Sequence, residues 1–170
     1  MEPRHPHVVN IADVAARDTS HGKFASQARR LGAAAGSKKL GCSYFEVPPG
    51  KAAFPAHFHA ANEEAIFVID GEGTMRLGDA RVPVKAGDYI AMPVGPSTAH
   101  QLVNTGAGTL KYLCFSTMST VEVVGYPDSK KHAATAHASV EGALKGDPPW
   151  VRHIWTAEQK SAGYYDGEDG

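Results

Sequence analysis

The chain has 170 residues, 42% of them hydrophobic, so its length fits one ordinary domain and its composition is sufficient for a buried core. Its 17 Lys and Arg nearly balance its 18 Asp and Glu, which leaves a formal net charge of −1 at pH 7 and no general attraction for phosphate backbones or anionic lipid. Composition therefore disfavours nucleic acid and membrane surfaces as partners.

The N-terminal segment predicts a cytoplasmic protein. Residues 1–10 carry charged side chains and two prolines, without the apolar stretch of a secretory signal. No run in the sequence approaches the roughly 18 apolar residues that a membrane helix requires. We therefore expect a cytoplasmic location and no membrane partner.

Residues 1–37 are predicted to form an irregular N-terminal extension that includes one outer strand. Residues 10–17 have the length of one short helical turn, and Asn10 is a suitable N-terminal cap for it. The outer strand is expected over residues 24–31.

The central part of the chain, residues 38–125, is predicted to be an all-β barrel. From Pro48 onward, glycine and proline divide it into pieces that are too short for helices of three turns but suit strands of about five residues. Several short strands at regular spacing with turn residues between them are typical of a sandwich or barrel. The strand candidates are residues 40–47, 65–69, 74–77, 81–84, 89–92 and 110–117.

The C-terminal part, residues 126–170, is predicted to be an irregular tail packed on the barrel, with a helical turn near Thr156. Trp150 and Trp155 argue against disorder, because disordered segments are poor in aromatic residues. The last residues, 166–170, are acidic and expected to be loose.

The two cysteines, Cys42 and Cys114, are predicted to be small apolar residues on buried strands. Free cysteine is among the most buried residue types, and a reducing compartment disfavours a disulfide. A reactive thiol at Cys114 is a third interpretation.

A pair of histidines is the first sign of a chemical site. His57 and His59 are two residues apart, and in a strand residues i and i+2 point to the same face, about 7 Å apart. Two neutral imidazoles on the inner face of a barrel form half of a metal site, and they suit Zn, Fe, Mn, Ni or Cu. Histidines without such a partner are expected to be surface or hydrogen-bonded residues.

A carboxylate and a third histidine complete the candidate site. Glu64 begins a strand that returns after a short turn, so it should lie beside the histidine pair, whereas its neighbour Glu63 should face the opposite way. His100 precedes a later strand and is the candidate fourth ligand. Cysteine is absent from these positions, which argues against a closed, thiolate-rich structural zinc site.

The sequence resembles the first motif of the cupin superfamily, G-x5-H-x-H-x3/4-E-x6-G. Gly50, His57, His59, Glu64 and Gly71 occur in that order, and six residues separate Glu64 from Gly71 as the motif requires. Six residues rather than five separate Gly50 from His57. The kept spacing favours Glu64 over its neighbour as the ligand.

The second cupin motif, G-x5-P-x-G-x2-H-x3-N, has a counterpart in Gly87, Pro93, Gly95, His100 and Asn104. Four residues rather than two separate Gly95 from His100, so the loop before this histidine is longer. The spacing from His100 to Asn104 is kept. Asn104 is expected to bond backbone groups at a turn rather than to touch metal.

The resemblance covers roughly residues 40–116 and implies a double-stranded β-helix, the cupin or jelly-roll barrel. It further implies one divalent metal ion, Zn, Mn, Fe or Ni, at the mouth of that barrel, and a homodimer by family habit. The arrangement of the whole chain is similar to small bacterial cupins, including a group related to tetracenomycin polyketide synthesis proteins. The ligands implied for the metal are His57, His59, Glu64 and His100.

The predicted function is a metal-dependent enzyme that acts on a small organic molecule. Four ligands leave two open positions on an octahedral ion, where a substrate oxygen, water or O₂ can be polarised. The resemblance allows dioxygenases, isomerases, lyases and hydrolases, because the fold does not determine the reaction. The alternative is a non-catalytic cupin that binds or senses a small molecule. A storage or scaffold role ranks last, because it leaves the converging ligands without a purpose.

Overall fold

Short antiparallel strands make up most of the structure, a computed structural model that describes residues 4–156, 158, 162–166 and 168. In chain order the elements are β1 (Arg17–His21), β2 (Phe24–Arg29), α1 (Leu31–Ala34), β3 (Leu40–Val47), β4 (Phe58–His59), β5 (Glu64–Asp70), β6 (Glu72–Leu77), β7 (Ala80–Lys85), β8 (Tyr89–Met92), β9 (His100–Val103), β10 (Leu110–Thr117), β11 (Val121–Tyr126), β12 (Lys131–Ala136), α2 (Val140–Lys145) and β13 (Val151–Thr156). The predicted all-β class is confirmed. Neither described helix has the length and apolar character of a membrane span.

The strands form three hydrogen-bonded sheets. The largest has the order β1-β2-β3-β10-β5-β8, the second β13-β12-β11-β4 and the third β7-β6-β9. Because each order is linear among the described residues, the sheets do not close into a barrel, and the prediction of a barrel is wrong in this respect. The segment between β3 and β4 contains Pro48, Pro49 and Pro55. Proline cannot donate to a ladder, and this segment meets its neighbours through isolated bridges such as Ala52 with Val103.

The hydrophobic core lies on the inner faces of the strands and follows their alternation. On β5, Ile66 and Val68 are buried whereas Phe67 and Ile69 are exposed. Glu64 shares the parity of the buried pair, so the side chain of this carboxylate is directed to the interior. The rest of the core cluster is Phe45, Val47, Ala53, Met75, Val84, Ile90, Met92, Leu102, Leu110 and Tyr112.

The N-terminal extension is more regular than expected. The predicted turn is a 3-10 helix, Ile11–Asp13, and the Asn10 side chain accepts a hydrogen bond from the Ala12 N–H at 2.9 Å, as expected of a cap. The expected outer strand is β2, which pairs with both β1 and β3.

The C-terminal part also differs from the expected irregular tail. Strand β12 pairs with β11 and β13, and α2 lies between β12 and β13. Thr156 ends a strand rather than forming a helical turn, because residues 151–156 complete backbone hydrogen bonds along β12. Of the acidic end, 166–170, the structure describes only Asp166 and Glu168, so the expected looseness lies largely outside the described residues.

Cys42 and Cys114 are free and lie on the neighbouring strands β3 and β10. Burial raises the pKa of both thiols, that of Cys114 well above its usual value. The thiolate is the reactive form of cysteine. The protonated state of Cys114 therefore disfavours the interpretation as a reactive thiol.

Gly125 lets the strand that carries His59 approach β11. A Cβ at Gly125 would lie 2.2 Å from ring atoms of Phe58, its partner across the β4–β11 pairing. A side chain here therefore forces the aromatic ring away and strains the pair.

We expect Gly125→Ala to lower the free energy of unfolding by about 1–3 kcal/mol, the usual cost of overpacking. Gly108→Ala is the matched control, because a Cβ at Gly108 meets nothing within 4 Å. Urea unfolding measures both variants. Equal stability of the two would contradict the close packing of Phe58 on Gly125.

Candidate metal centre

The structure brings the side chains of His57, His59, Glu64 and His100 together. Their potential ligand atoms all lie within 4.8 Å of one another, and His100 is buried while the other three are partly buried. His57 immediately precedes the short strand β4, His59 ends it, Glu64 begins β5, and His100 begins β9. The short strand β4 with the residue before it, and the starts of β5 and β9, thus supply the whole group.

Backbone hydrogen bonds hold the histidine-bearing segments side by side. The His57 N–H donates to the His100 carbonyl at 3.1 Å, and the His100 N–H donates back at 2.7 Å. The two imidazole centroids are 4.5 Å apart. The longer loop before His100 folds into a 3-10 turn, Pro96–Thr98, which takes up its extra length.

Gly95 links this loop to the other histidine strand. Its N–H donates to the His59 carbonyl at 2.8 Å. Its φ of 114° is a conformation that side chains with a Cβ rarely adopt. This turn glycine therefore positions both the loop and the strand that carry ligands.

Two of the imidazoles have a fixed orientation. Nδ1 of His57 is 2.8 Å from the Pro55 carbonyl oxygen, and Nδ1 of His100 is 3.0 Å from the Thr98 carbonyl oxygen. A carbonyl oxygen can only accept, so Nδ1 carries the proton in each ring and Nε2 is left with a free lone pair in the neutral imidazole. That lone pair is the one a metal ion requires.

The ring of His59 lies between two carboxylates. Its Nε2 is 3.5 Å from Oε2 of Glu64, and its Nδ1 is 3.4 Å from Oε2 of Glu122. These are ion-pair distances, yet neither meets hydrogen-bond geometry, so both buried ring nitrogens lack a hydrogen-bond partner among the described residues. A buried polar atom without a partner is costly. A metal ion between His59 and Glu64 fits this arrangement, because it would satisfy Nε2.

The charges in this group are strongly coupled. Burial favours the neutral form of Glu64, but the contacts with His100 and His59 outweigh it and lower its pKa to about 2. Burial and the neighbouring His100 lower the pKa of His57 to about 4. For His59, burial opposes protonation, but Glu122 and Glu64 outweigh it and raise its pKa to about 9. At neutral pH the group therefore holds an ionised Glu64, a neutral His57 and a protonated His59.

A cavity of about 220 Å³ opens beside the four residues. Its walls are mostly apolar and include Phe54, Ile66, Met92 and Leu102, with Gln101 and Tyr112 adding polar groups. Burial raises the pKa of Tyr112 well above its usual value, so its phenol keeps its proton. Concave apolar pockets with a few polar groups are typical of small-molecule sites.

The structure agrees with the sequence predictions for Glu63 and Asn104, which lie near the cluster. Glu63 is exposed and stands outside the cluster. Asn104 is fully buried, and its amide donates to the Val47 and Gly108 carbonyls at 2.7 and 2.8 Å, which confirms a structural role. The remaining histidines of the chain lie outside the group, and His132 and His153 instead stack on Trp155.

Glu122 is the site residue that sequence reasoning missed. It lies on β11, beyond the stretch that resembles the second motif, and its contact with His59 depends on the pairing of β11 with β4. No spacing rule in the sequence connects Glu122 to His59 or to residue 62. An isolated glutamate in a strand otherwise rich in valine was the one available signal.

The comparisons with known proteins identify the central segment. Residues 43–116 match the family model described as Cupin domain. This segment is a cupin domain. The resemblance drawn from the two motifs is thus confirmed.

Solved structures extend the likeness in fold to most of the chain. A protein from Acidithiobacillus ferrooxidans, provisionally assigned as a sugar phosphate isomerase, is 22% identical, with a TM-score of 0.77 over 93% of this chain and 97% of its own. Because the match reaches well beyond residues 43–116, it includes the terminal extensions. At this identity it shows the fold alone, and it supports the predicted double-stranded β-helix class.

Two other relatives are similar over shorter stretches. The polyketide cyclase RemF from Streptomyces resistomycificus is 27% identical, with a TM-score of 0.54 over 69% of this chain and 80% of its own. The uncharacterized protein MJ1618 of Methanocaldococcus jannaschii is 40% identical over 60 residues. Those residues make up 35% of this chain and 46% of that relative, so the match spans less than half of its length.

The raised pKa of His59 predicts how the metal-free protein responds to pH. A group whose pKa rises from 6.5 to about 9 on folding stabilises the fold fully below pH 6.5 and loses this contribution as the pH rises to 9. With chelator present, we expect the free energy of unfolding to fall across this window by up to roughly 3.5 kcal/mol, at ~1.4 kcal/mol per pKa unit.

Denaturant unfolding at several pH values measures this effect. His59→Gln should remove this part of the decline, whereas substitution of the exposed His21 by Gln should leave it intact. The same decline in the His59 variant as in the unchanged protein would show that another group causes it.

Proposed function

We propose that this cupin binds one divalent metal ion through His57, His59, Glu64 and His100 and acts as an oxygenase-, isomerase- or lyase-type enzyme on a small organic molecule. The observation that carries the proposal is the convergence of three imidazoles and one ionised carboxylate beside an apolar cavity. Three histidines and a carboxylate suit Zn, Mn, Fe and Ni, so the donor set defines a class of ions rather than one of them.

The chemistry supplied by such an ion is Lewis acidity, which polarises a carbonyl or hydroxyl oxygen of the substrate. The protein contributes orientation, because the Pro55 and Thr98 carbonyls hold the Nδ1 protons of His57 and His100. Glu64 contributes the negative charge. The apolar walls exclude water, which strengthens electrostatic interactions with a developing enolate or alkoxide.

The size and polarity of the cavity support a small substrate. A volume of about 220 Å³ suits a compact carbonyl or hydroxyl compound rather than a polymer. RemF, a polyketide cyclase by name, is 27% identical and similar in fold, and this likeness supports an enzymatic role. Homodimer formation and a cytoplasmic location stay predictions from the sequence.

Metal binding is tested by elemental analysis and calorimetric titration with Zn²⁺ and Mn²⁺. We expect about one ion per chain, and a loss of affinity of about 100-fold or more in Glu64→Gln, exceeding the 10–100-fold typical of residues that only support a ligand. Glu63→Gln is the matched control, because Glu63 is the adjacent exposed carboxylate. Unchanged binding by the Glu64 variant would refute the assignment of this ligand.

Catalysis is tested separately, by turnover of small keto, hydroxy and phenolic compounds with Mn²⁺, Fe²⁺, Ni²⁺ or Zn²⁺ present. We expect a chelator to abolish this turnover. We expect His57→Ala to lower it at least about 100-fold, because the substitution removes one donor of the metal site. Metal and ligand binding without turnover of any of these compounds would instead favour the small-molecule-binding cupin.

A further inference from the structure

The side chain of Glu122 faces the candidate metal centre from outside the cupin domain. Glu122 lies on β11, after residues 43–116 that match the family model. Its Oε2 is 3.4 Å from Nδ1 of His59, and the two side chains are 12% and 14% exposed. The contact is therefore largely shielded from water, where a charge acts on its neighbour more strongly than at the surface.

Backbone N–H groups hold the Glu122 carboxylate in place. Oε1 accepts from Ala60 at 3.1 Å, Ala61 at 3.0 Å and Val123 at 2.9 Å, and Oε2 accepts from Asn62 at 2.8 Å. Three of these four donors belong to the turn 60–62, which joins His59 to Glu64. One carboxylate thus organises the connection between two of the four clustered residues and also faces one of them.

The three histidines show a common pattern at Nδ1. Behind His57 and His100, this nitrogen meets a backbone carbonyl oxygen, from Pro55 and Thr98. Behind His59, it meets the Glu122 carboxylate. The carbonyl oxygens keep the proton on Nδ1 of His57 and His100. The Glu122 carboxylate faces the same nitrogen of His59, and outer partners of this kind orient ligands and raise their basicity.

We propose that Glu122 is a positioning residue for the metal centre: it holds the proton of His59 at Nδ1 and so makes Nε2 the ligating nitrogen. This inference rests on the proposed function, namely that the four residues bind a metal ion. It assigns the strand β11 a part in the site, although β11 contributes no member of the four-residue group. A role in the turn alone would leave the His59 tautomer unaffected.

The first test is Glu122→Gln in the full-length protein, titrated with Zn²⁺. Glutamine keeps the size of the side chain and one oxygen for the turn amides, but it replaces the other oxygen by an NH₂ group that cannot accept the His59 proton. We expect Zn²⁺ affinity to fall about 10–100-fold, the range typical of partners behind a ligand. The matched control is again Glu63→Gln, which should bind Zn²⁺ as the unchanged protein does.

The second test reads the tautomer directly, by long-range ¹H–¹⁵N NMR of the histidine rings in the Zn²⁺-loaded protein. We expect His59, assigned with the His59→Gln variant, to carry its proton on Nδ1 and to bind Zn²⁺ through Nε2. In Glu122→Gln the signals of His59 should change, while those of His57 and His100 keep their pattern.

The outcomes separate the inference from the function on which it rests. Failure of the unchanged protein to bind Zn²⁺ would refute the metal site itself. Zn²⁺ binding with equal affinity and an unchanged His59 tautomer in Glu122→Gln would overturn the role of Glu122. Ligation through Nδ1 of His59 in the unchanged protein would overturn it as well, even where the variant fails to fold.

Discussion

The cost of burying charge at one point is the constraint on which the arrangement of this protein depends. Glu64 is ionised and largely buried, and such a group is unfavourable in a protein interior unless it is paired. His59 and His100 provide that compensation, at 3.5 and 3.3 Å from its carboxylate. The buried carboxylate therefore depends on the imidazoles beside it, and the backbone must hold all four side chains in position.

A small number of backbone hydrogen bonds hold these side chains in position. Reciprocal hydrogen bonds join His57 to His100, and Gly95 donates to the carbonyl of His59. The sheets do not close around these residues among the described strands. Local backbone bridges and the turn bound by Glu122 therefore hold the clustered residues in place, rather than a continuous ring of strands.

Much of the candidate site was predictable because its geometry follows from local rules. His57 and His59 share a strand face by a period of two, and the same alternation selects Glu64 over Glu63 once β5 has a buried face.

The C-terminal segment was less predictable. Its strands β12 and β13 carry few long apolar runs, and they form because each completes the backbone hydrogen bonds of a neighbour.

From the sequence, short-range patterns predicted the all-β class and placed His57 and His59 on one face, because period-two alternation acts over short distances. The resemblance to the two cupin motifs, rather than any local rule, pointed to Glu64 and His100 as the other two members of the cluster. Tertiary structure alone decided that the sheets stay open, that the C-terminal segment is regular, and that Glu122 lies behind His59. These features depend on which strands pair, because Glu122, far from His59 in the chain, becomes its neighbour only when β11 lies against β4. Long-range pairing is a property of the folded chain, and no local pattern encodes it.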